Sequence, residues 1–324
     1  MKSHGGVRVR TPPLLFWARA SFRFDFAAPD EWWGADGWLL SRTEKDVGRG
    51  SMSCWSGARS QWDRRLTGGK GPKLCGPGIE GSRPQGHAGM GQDAAKQQQE
   101  YYSASADQYD AQHCGADPEH DIAAILLWGA VDHLEATSLL DVGAGTGRTL
   151  LAAKKSKPSL LVRGIEPVAE LRNVGYRKGL TPQELTAGDG TSLELPDNSF
   201  DIVSAFAVLH HVPRPEIVVA EMLRVARRAV FISDANNFGQ GGVVTRTVKV
   251  ALRGLGLWRA FDWIKTAGKG YTVSDGDGVA YSYSILNTAA QLRRTCRSVH
   301  LMNTSPAGNN LLTTATHAAL LALK

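Results

Sequence analysis

The chain has 324 residues, 42% of them hydrophobic, enough for one large domain or two modest ones with a real core. No apolar run approaches the roughly 18 residues of a membrane span, so the sequence reads as that of a soluble, cytoplasmic protein. Its formal charge of +6 suggests an acidic partner, but residues 1–89 hold 14 Lys+Arg against 8 Asp+Glu while residues 90–324 hold 23 of each, which confines the basic character to the leading segment.

That leading segment, 1–89, mixes Gly, Arg, Ser and Pro with six of the nine tryptophans and shows no sustained period of 2 or 3.6. It reads as a disordered extension, a targeting segment or a gene-model artefact upstream of Met90. A folded domain is expected over 90–324. The cysteines Cys54, Cys75, Cys114 and Cys296 lack Cys-x-x-Cys spacing, so no metal site and no disulfide framework is expected, and a reducing compartment fits. His113 beside Cys114 does not by itself make a catalytic pair.

The composition of Gln97 to Asp110 predicts a helix, with Tyr102 and Tyr109 seven residues apart on one face. Asp121 to Leu134 reads as a second helix, apolar at Ile122, Ile125, Leu126 and Trp128. Leu139 to Gly147, Leu-Leu-Asp-Val-Gly-Ala-Gly-Thr-Gly, is then a buried strand ending in an acid and a glycine turn, with a helix expected over Arg148 to Lys155. Glycines at a strand-to-helix turn let backbone approach a ligand beside free helix N–H groups. The dinucleotide fingerprint requires a third glycine three residues after Gly145, where Arg148 stands instead.

Leu160 to Ile165 is a second apolar run, ending in Glu166-Pro167, an acid placed at a strand end to accept hydrogen bonds from ribose hydroxyls. A helix to Tyr176 and a short strand at Glu184 to Ala187 follow, then Gly188-Asp189-Gly190 and Leu195-Pro196-Asp197-Asn198-Ser199-Phe200-Asp201. A fourth strand, Asp201 to Phe206, leads to Val208-Leu209-His210-His211-Val212. Pro215 to Arg227 is helical and Ala229 to Ser233 a fifth strand. The alternation of strands and helices from 138 to 234 is what a doubly wound parallel sheet requires.

The Asp-x-Gly-x-Gly-x-Gly stretch at 141–147, the Leu-Pro-Asp-x-Ser-Phe-Asp approach to the fourth strand and the Leu-His-His run resemble class I S-adenosylmethionine-dependent methyltransferases of the small-molecule, type 11 kind. The resemblance implies an α/β, Rossmann-like, doubly wound seven-stranded sheet with an antiparallel terminal hairpin, here Ser298 to Met302 and His317 to Leu323. It implies S-adenosylmethionine as cofactor, held by Asp141, Gly143, Ala144, Gly145, Glu166, Asp189, Gly190 and Phe206, with Asp189 reading the adenine. Tyr102 and Tyr109 then form a lid, or simply pack on the domain. His210 and His211 are the catalytic candidates, with a pKa suited to taking a proton from an oxygen or nitrogen nucleophile, or they hold the following helix.

Residues 240–285 are expected to be a substrate-side insertion. Asn236 to Gly242 reads as a polar, glycine-rich loop at the carboxyl end of the fifth strand, where a substrate would enter, and Val243 to Ile264 as a helix broken at Gly254 and Gly256. Arg246, Lys249, Arg253, Arg259 and Lys265 stand against a lone Asp262, either as a solvated face or as a cap over 246–265 for an anionic substrate or a membrane surface. Asp275 to Ser284 is a polar, aromatic candidate lining. The expected reaction is methyl transfer to an oxygen or nitrogen, less readily a carbon, of a small-molecule acceptor. A lipid-linked or macromolecular acceptor, or binding without catalysis, are the alternatives. The sequence lacks the signatures of amino-methylating or cytosine-5 nucleic-acid enzymes, so a nucleic-acid partner is not expected. The oligomeric state is not legible.

Overall fold

The computed structural model describes residues 88–113, 117–308 and 310–324. The readings of the leading segment and of Cys54, Cys75 and Cys114 lie outside the described residues.

Five parallel strands form first: β1 (Ser138–Val142), β2 (Leu161–Ile165), β3 (Leu185–Thr186), β4 (Phe200–Phe206) and β5 (Ala226–Ala235). A small hairpin, β6 (Tyr271–Ser274) with β7 (Gly278–Tyr281), stands apart from the main sheet. The terminal hairpin, β8 (Ser298–Asn303) and β9 (His317–Leu323), joins β5 antiparallel to give the order β3-β2-β1-β4-β5-β9-β8. All five residues of β1 are buried, as are six of the seven in β4, because helices cover both faces of a parallel sheet.

On one face, α6 (Pro215–Val225) and α9 (Ile285–Leu292) bury Val218, Met222, Ile285 and Leu292 against Val203 and Ile232. On the other, α3 (Pro118–His133) and α4 (Arg148–Ser156) bury Leu127 and Leu150 against Leu139 and Phe231. The order reverses between β1 and β4, so a crevice opens at their carboxyl ends, where the glycine turn and the 3-10 turn Leu209–His211 both lie.

Several boundaries differ from the sequence expectation. The inward stripe of α3 is Ala123, Leu127, Ala130 and Val131, while Ile125 is exposed: two alanines let the helix sit close to the sheet, a choice that residue size alone does not reveal. The sixth helix stops at Val225, and Ala226 already pairs with Phe200 in β5, ahead of a register shift that brings Ala229 opposite Ile202. The tyrosine segment is α1 (Ala88–Ser105), a 3-10 turn at Ala106–Gln108 and α2 (Tyr109–His113). Asn236 to Gly239, the first part of the expected entry loop, is buried, with the Asn236 amide donating to the carbonyls of Leu311 and Ala315.

Asp201 ties the start of β4 to its two neighbouring strands. Asp201 accepts from the backbone and hydroxyl of Thr137 at 2.9 and 2.8 Å and from Arg227 at 2.7 Å. Burial pushes its pKa up, but these donors outweigh it and hold the carboxyl at about 2. A depressed folded-state pKa stabilises above the unfolded value and is lost as pH falls through the folded one. Asp201→Asn should therefore lose about 1–2 kcal/mol at pH 7 in urea denaturation, and that deficit should shrink between about pH 4 and pH 2. Gly147, at φ +80°, caps α4 where a Cβ would run into Leu180 Cδ1. Gly147→Ala is expected to cost about 1–2 kcal/mol from the left-handed backbone alone, read as a lowered denaturation midpoint.

Candidate functional site

The turn after β1 carries positive φ at Gly143, Gly145 and Gly147. A Cβ on Gly143 would lie 2.5 Å from Val208 Cγ2, so the turns after β1 and β4 touch only because a glycine stands there. Ala144, buried, points back into the sheet-helix core. Gly145 N donates to Glu166 Oε2 at 3.0 Å, and Val168 N to Glu166 Oε1 at 2.9 Å. Glu166 is 5% exposed and its pKa is raised by burial, against the pull of those two donors. The second strand's terminal acid and the glycine turn are thus joined.

Asp141 faces Ser204 across the β1–β4 register and accepts from its hydroxyl at 2.6 Å. Burial raises its pKa to about 6. The side chain ties the two central strands together. Asp189 is exposed and accepts from Thr191 N at 2.8 Å, closing a turn beside Gly190. Phe206 stacks between His120, 4.7 Å away centroid to centroid, and Phe231 at 5.6 Å.

Tyr102 and Tyr109 meet edge to face at 5.7 Å, although a 3-10 turn interrupts the helix between them. Tyr109 lies over the glycine turn: a Cβ on Gly145 would be 3.3 Å from its hydroxyl. Asp110 anchors the same segment by accepting from Thr146 Oγ1 at 2.7 Å and pairing with Lys178. The tyrosine face packs Val168 and Leu171 of the β2–α5 corner, where α5 is Ala169–Arg177.

His210 and His211 sit on the 3-10 turn after β4 with centroids 3.9 Å apart. His210 Nδ1 is 2.7 Å from Asp234 Oδ1, and Asp234 Oδ2 accepts from the backbone of Val208 and Leu209 at 3.0 and 2.7 Å. His210 Nε2 lies 3.3 Å from Asp277 Oδ2. Burial opposes a charge on His210, yet Asp234 and then Asp277 outweigh it and raise its pKa to about 10. Asp277 is driven well below the usual carboxylate range by the two histidines, against its burial. His211 Nδ1 lies 2.6 Å from Val279 O, and the Tyr102 hydroxyl lies 3.0 Å from His211 Nε2. Gln98 closes the group, accepting from Val279 N and donating to Asp277 O at 3.1 Å.

The crevice thus gathers the glycine turn, Glu166, the tyrosines and the histidine pair, while Asp189 and Phe206 stand in turns and packing of their own. Sequence reasoning missed Asp234 and Gln98. Asp234 follows the apolar run 229–232 of β5 after one intervening residue, close to the strand-end acid pattern that singled out Glu166.

The insertion forms α7 (Val243–Gly254) and α8 (Trp258–Lys265), separated at Gly256 with φ +72°. Lys249 turns inward while several apolar side chains face out. Lys249 donates to Asn237 O at 2.8 Å and Arg253 lies 4.5 Å over the Phe238 ring, while Val244 and Trp263 are 78% and 62% exposed.

Residues 140–232 match the family model described as a methyltransferase domain. The chain is similar to a phosphatidylethanolamine N-methyltransferase of Cereibacter sphaeroides, 35% identical over 119 residues, covering 35% of this chain and 57% of that one. It is 32% identical over 112 residues to a 2-methyl-6-phytyl-1,4-hydroquinone methyltransferase of Synechocystis, covering 33% of this chain and 34% of that one. Among solved structures, a Synechocystis magnesium protoporphyrin IX methyltransferase with bound S-adenosylmethionine is similar at 14% identity and TM-score 0.47, covering 72% of this chain and 97% of that one. The chain spans between a third and just over half of the length of these two curated relatives. With the matched segment running from the strand that bears the glycine turn to the fifth strand, residues 140–232 are a methyltransferase domain of the class I, S-adenosylmethionine-dependent family.

Proposed function

We propose that the chain transfers the methyl group of S-adenosylmethionine to an oxygen or nitrogen of a small-molecule acceptor. The observation that carries this reading is the joining of the glycine turn to the buried Glu166 at the sheet's switch point, under Tyr102 and Tyr109. In this reading the turn's backbone lies along the methionine portion, Glu166 takes the ribose hydroxyls, and Asp189 takes the adenine amino group from its turn. The tyrosines cover the bound nucleoside and keep water out.

The cofactor supplies an electrophilic sulfonium methyl. The acceptor's lone pair forms the new bond as the carbon–sulfur bond breaks, and the acceptor loses its proton to solvent or to a base. Positioning the two partners in line at near-contact distance provides most of the rate. His210 is a poor base in its paired state, because Asp234 and Asp277 already keep it protonated. His211 faces Val279 O with one ring nitrogen and the Tyr102 hydroxyl with the other. We therefore assign the pair a positioning role beneath the lid.

Isothermal titration of the full chain with S-adenosylhomocysteine should show one site. Glu166→Ala should weaken it at least about 10-fold, a loss of about 1.4 kcal/mol. Heat-free titration of the parent chain would sink the cofactor reading, whereas an unchanged Glu166→Ala would remove only that residue's role.

The exposed apolar side chains of α7–α8, Val244 and Trp263 among them, favour a second acceptor class, a lipid-linked molecule met at a membrane surface. An exposed apolar helix face with basic flanks such as Arg259 and Lys265 is the form that lies in a bilayer interface. Cosedimentation with anionic vesicles should then fall several-fold in the double variant Val244→Asp, Trp263→Asp. Equal sedimentation of parent and variant would leave the soluble acceptor.

A further inference from the structure

His210, His211 and Asp277 offer a nitrogen, a nitrogen and a carboxylate whose ligand atoms all lie within 4.8 Å of one another. The distances are informative. A charge-assisted N–H···O contact settles at about 2.7–2.9 Å, as His210 and Asp234 do at 2.7 Å. The two contacts to Asp277 are longer, 3.3 Å from His210 Nε2 and 3.4 Å from His211 Nε2. Two donors bonded tetrahedrally to one ion at about 2.0–2.1 Å stand about 3.3–3.4 Å apart.

The surroundings are those of metal-binding imidazoles. A ligating histidine commonly donates its other ring N–H to a carboxylate or a backbone carbonyl, which fixes the tautomer and aims the free lone pair. Both arrangements occur side by side: His210 Nδ1 faces Asp234 Oδ1 and His211 Nδ1 faces Val279 O at 2.6 Å. Each outer partner is itself held. Asp234 is fully buried and takes backbone donors from Val208 and Leu209, and Val279 N donates to Gln98. Both Nε2 atoms converge on Asp277, at the turn between β6 and β7 and 43% exposed, so an ion can reach them from solvent. The Tyr102 hydroxyl lies 3.0 Å from His211 Nε2 and would give way to an ion there.

We propose that His210 Nε2, His211 Nε2 and the Asp277 carboxylate form a binding site for one divalent first-row transition-metal ion. Two imidazoles and one carboxylate suit an ion of the zinc or ferrous class, and three protein donors leave at least one position for water or another oxygen ligand. The site joins the β4 turn to the β6–β7 hairpin directly beneath the lid tyrosine. It does not depend on the proposed methyl transfer, and its test requires no cofactor.

The test is titration of the full chain, stripped with a chelator, with Co2+ followed by visible absorption, and then displacement by Zn2+. One Co2+ per chain with a saturating d–d band that Zn2+ abolishes is expected. Asp277→Asn and His211→Gln, each checked for folding by circular dichroism, should weaken binding at least about 10-fold, the low end of the loss from altering an outer-shell partner. Asp275→Asn, two residues away on the same turn, should bind as the parent does. A parent chain without a saturable cobalt spectrum would overturn the site and leave the three groups as an ion-pair latch. Binding undiminished in both folded variants would place the ion elsewhere and overturn it equally.

Discussion

Asp234 is wholly buried at the carboxyl end of β5, and the loop that follows β4 is shaped by it. Its two oxygens take the backbone of Val208, Leu209 and Ala235 together with the His210 ring. A carboxylate removed from water is tolerable only when its lone pairs are filled this completely, and removing one partner of such a pair typically costs about 3–5 kcal/mol. The neighbouring strands repeat the device. Asp141 ends its run against Ser204, and Glu166 gathers Gly145 N and Val168 N. The crevice edge of the sheet is therefore a row of buried acids, two bracing the backbone of a turn and Asp141 tying β1 to β4.

The glycine spacing, the strand-end acid at Glu166 and the order of strands and helices were legible because each is a local pattern with a local cause. The terminal hairpin was legible too, since two short apolar runs around a Gly-Asn-Asn loop have few other uses; Ser298–Asn303 and His317–Leu323 form it. The face of α3 was misread because burial there depends on how closely alanines let the helix approach, not on which residues are largest. The start of β5 was misread because Arg224 and Arg227 suit a helix end, while pairing with Phe200 decides otherwise.

The histidine pair shows where sequence reading stops. Its position after the fourth strand could be inferred, but its chemistry is set by Asp234, Asp277 and Val279, which are 24, 67 and 68 residues away along the chain. Periodicity carries no information about such meetings. A histidine expected to exchange protons near neutrality is instead braced between two acids, and the reversal comes entirely from tertiary partners. The insertion is a parallel case: its one-signed charges were visible, but not that Lys249 turns inward to carbonyls at the end of Asn237.

Gln98 ties the first described helix to the β6–β7 hairpin, across a separation of 181 residues to Val279. On a ribosome adding about 5–20 residues each second, Gln98 emerges about 10–35 s before its partner exists. During that interval the sheet can form up to β5 and the tyrosine face can settle on Val168 and Leu171, but Gln98 has no hairpin to bind. The link from Gln98 to the hairpin is thus a late assembly step made from the earliest-synthesised described segment, and these two segments are fastened to each other only after the five parallel strands between them exist.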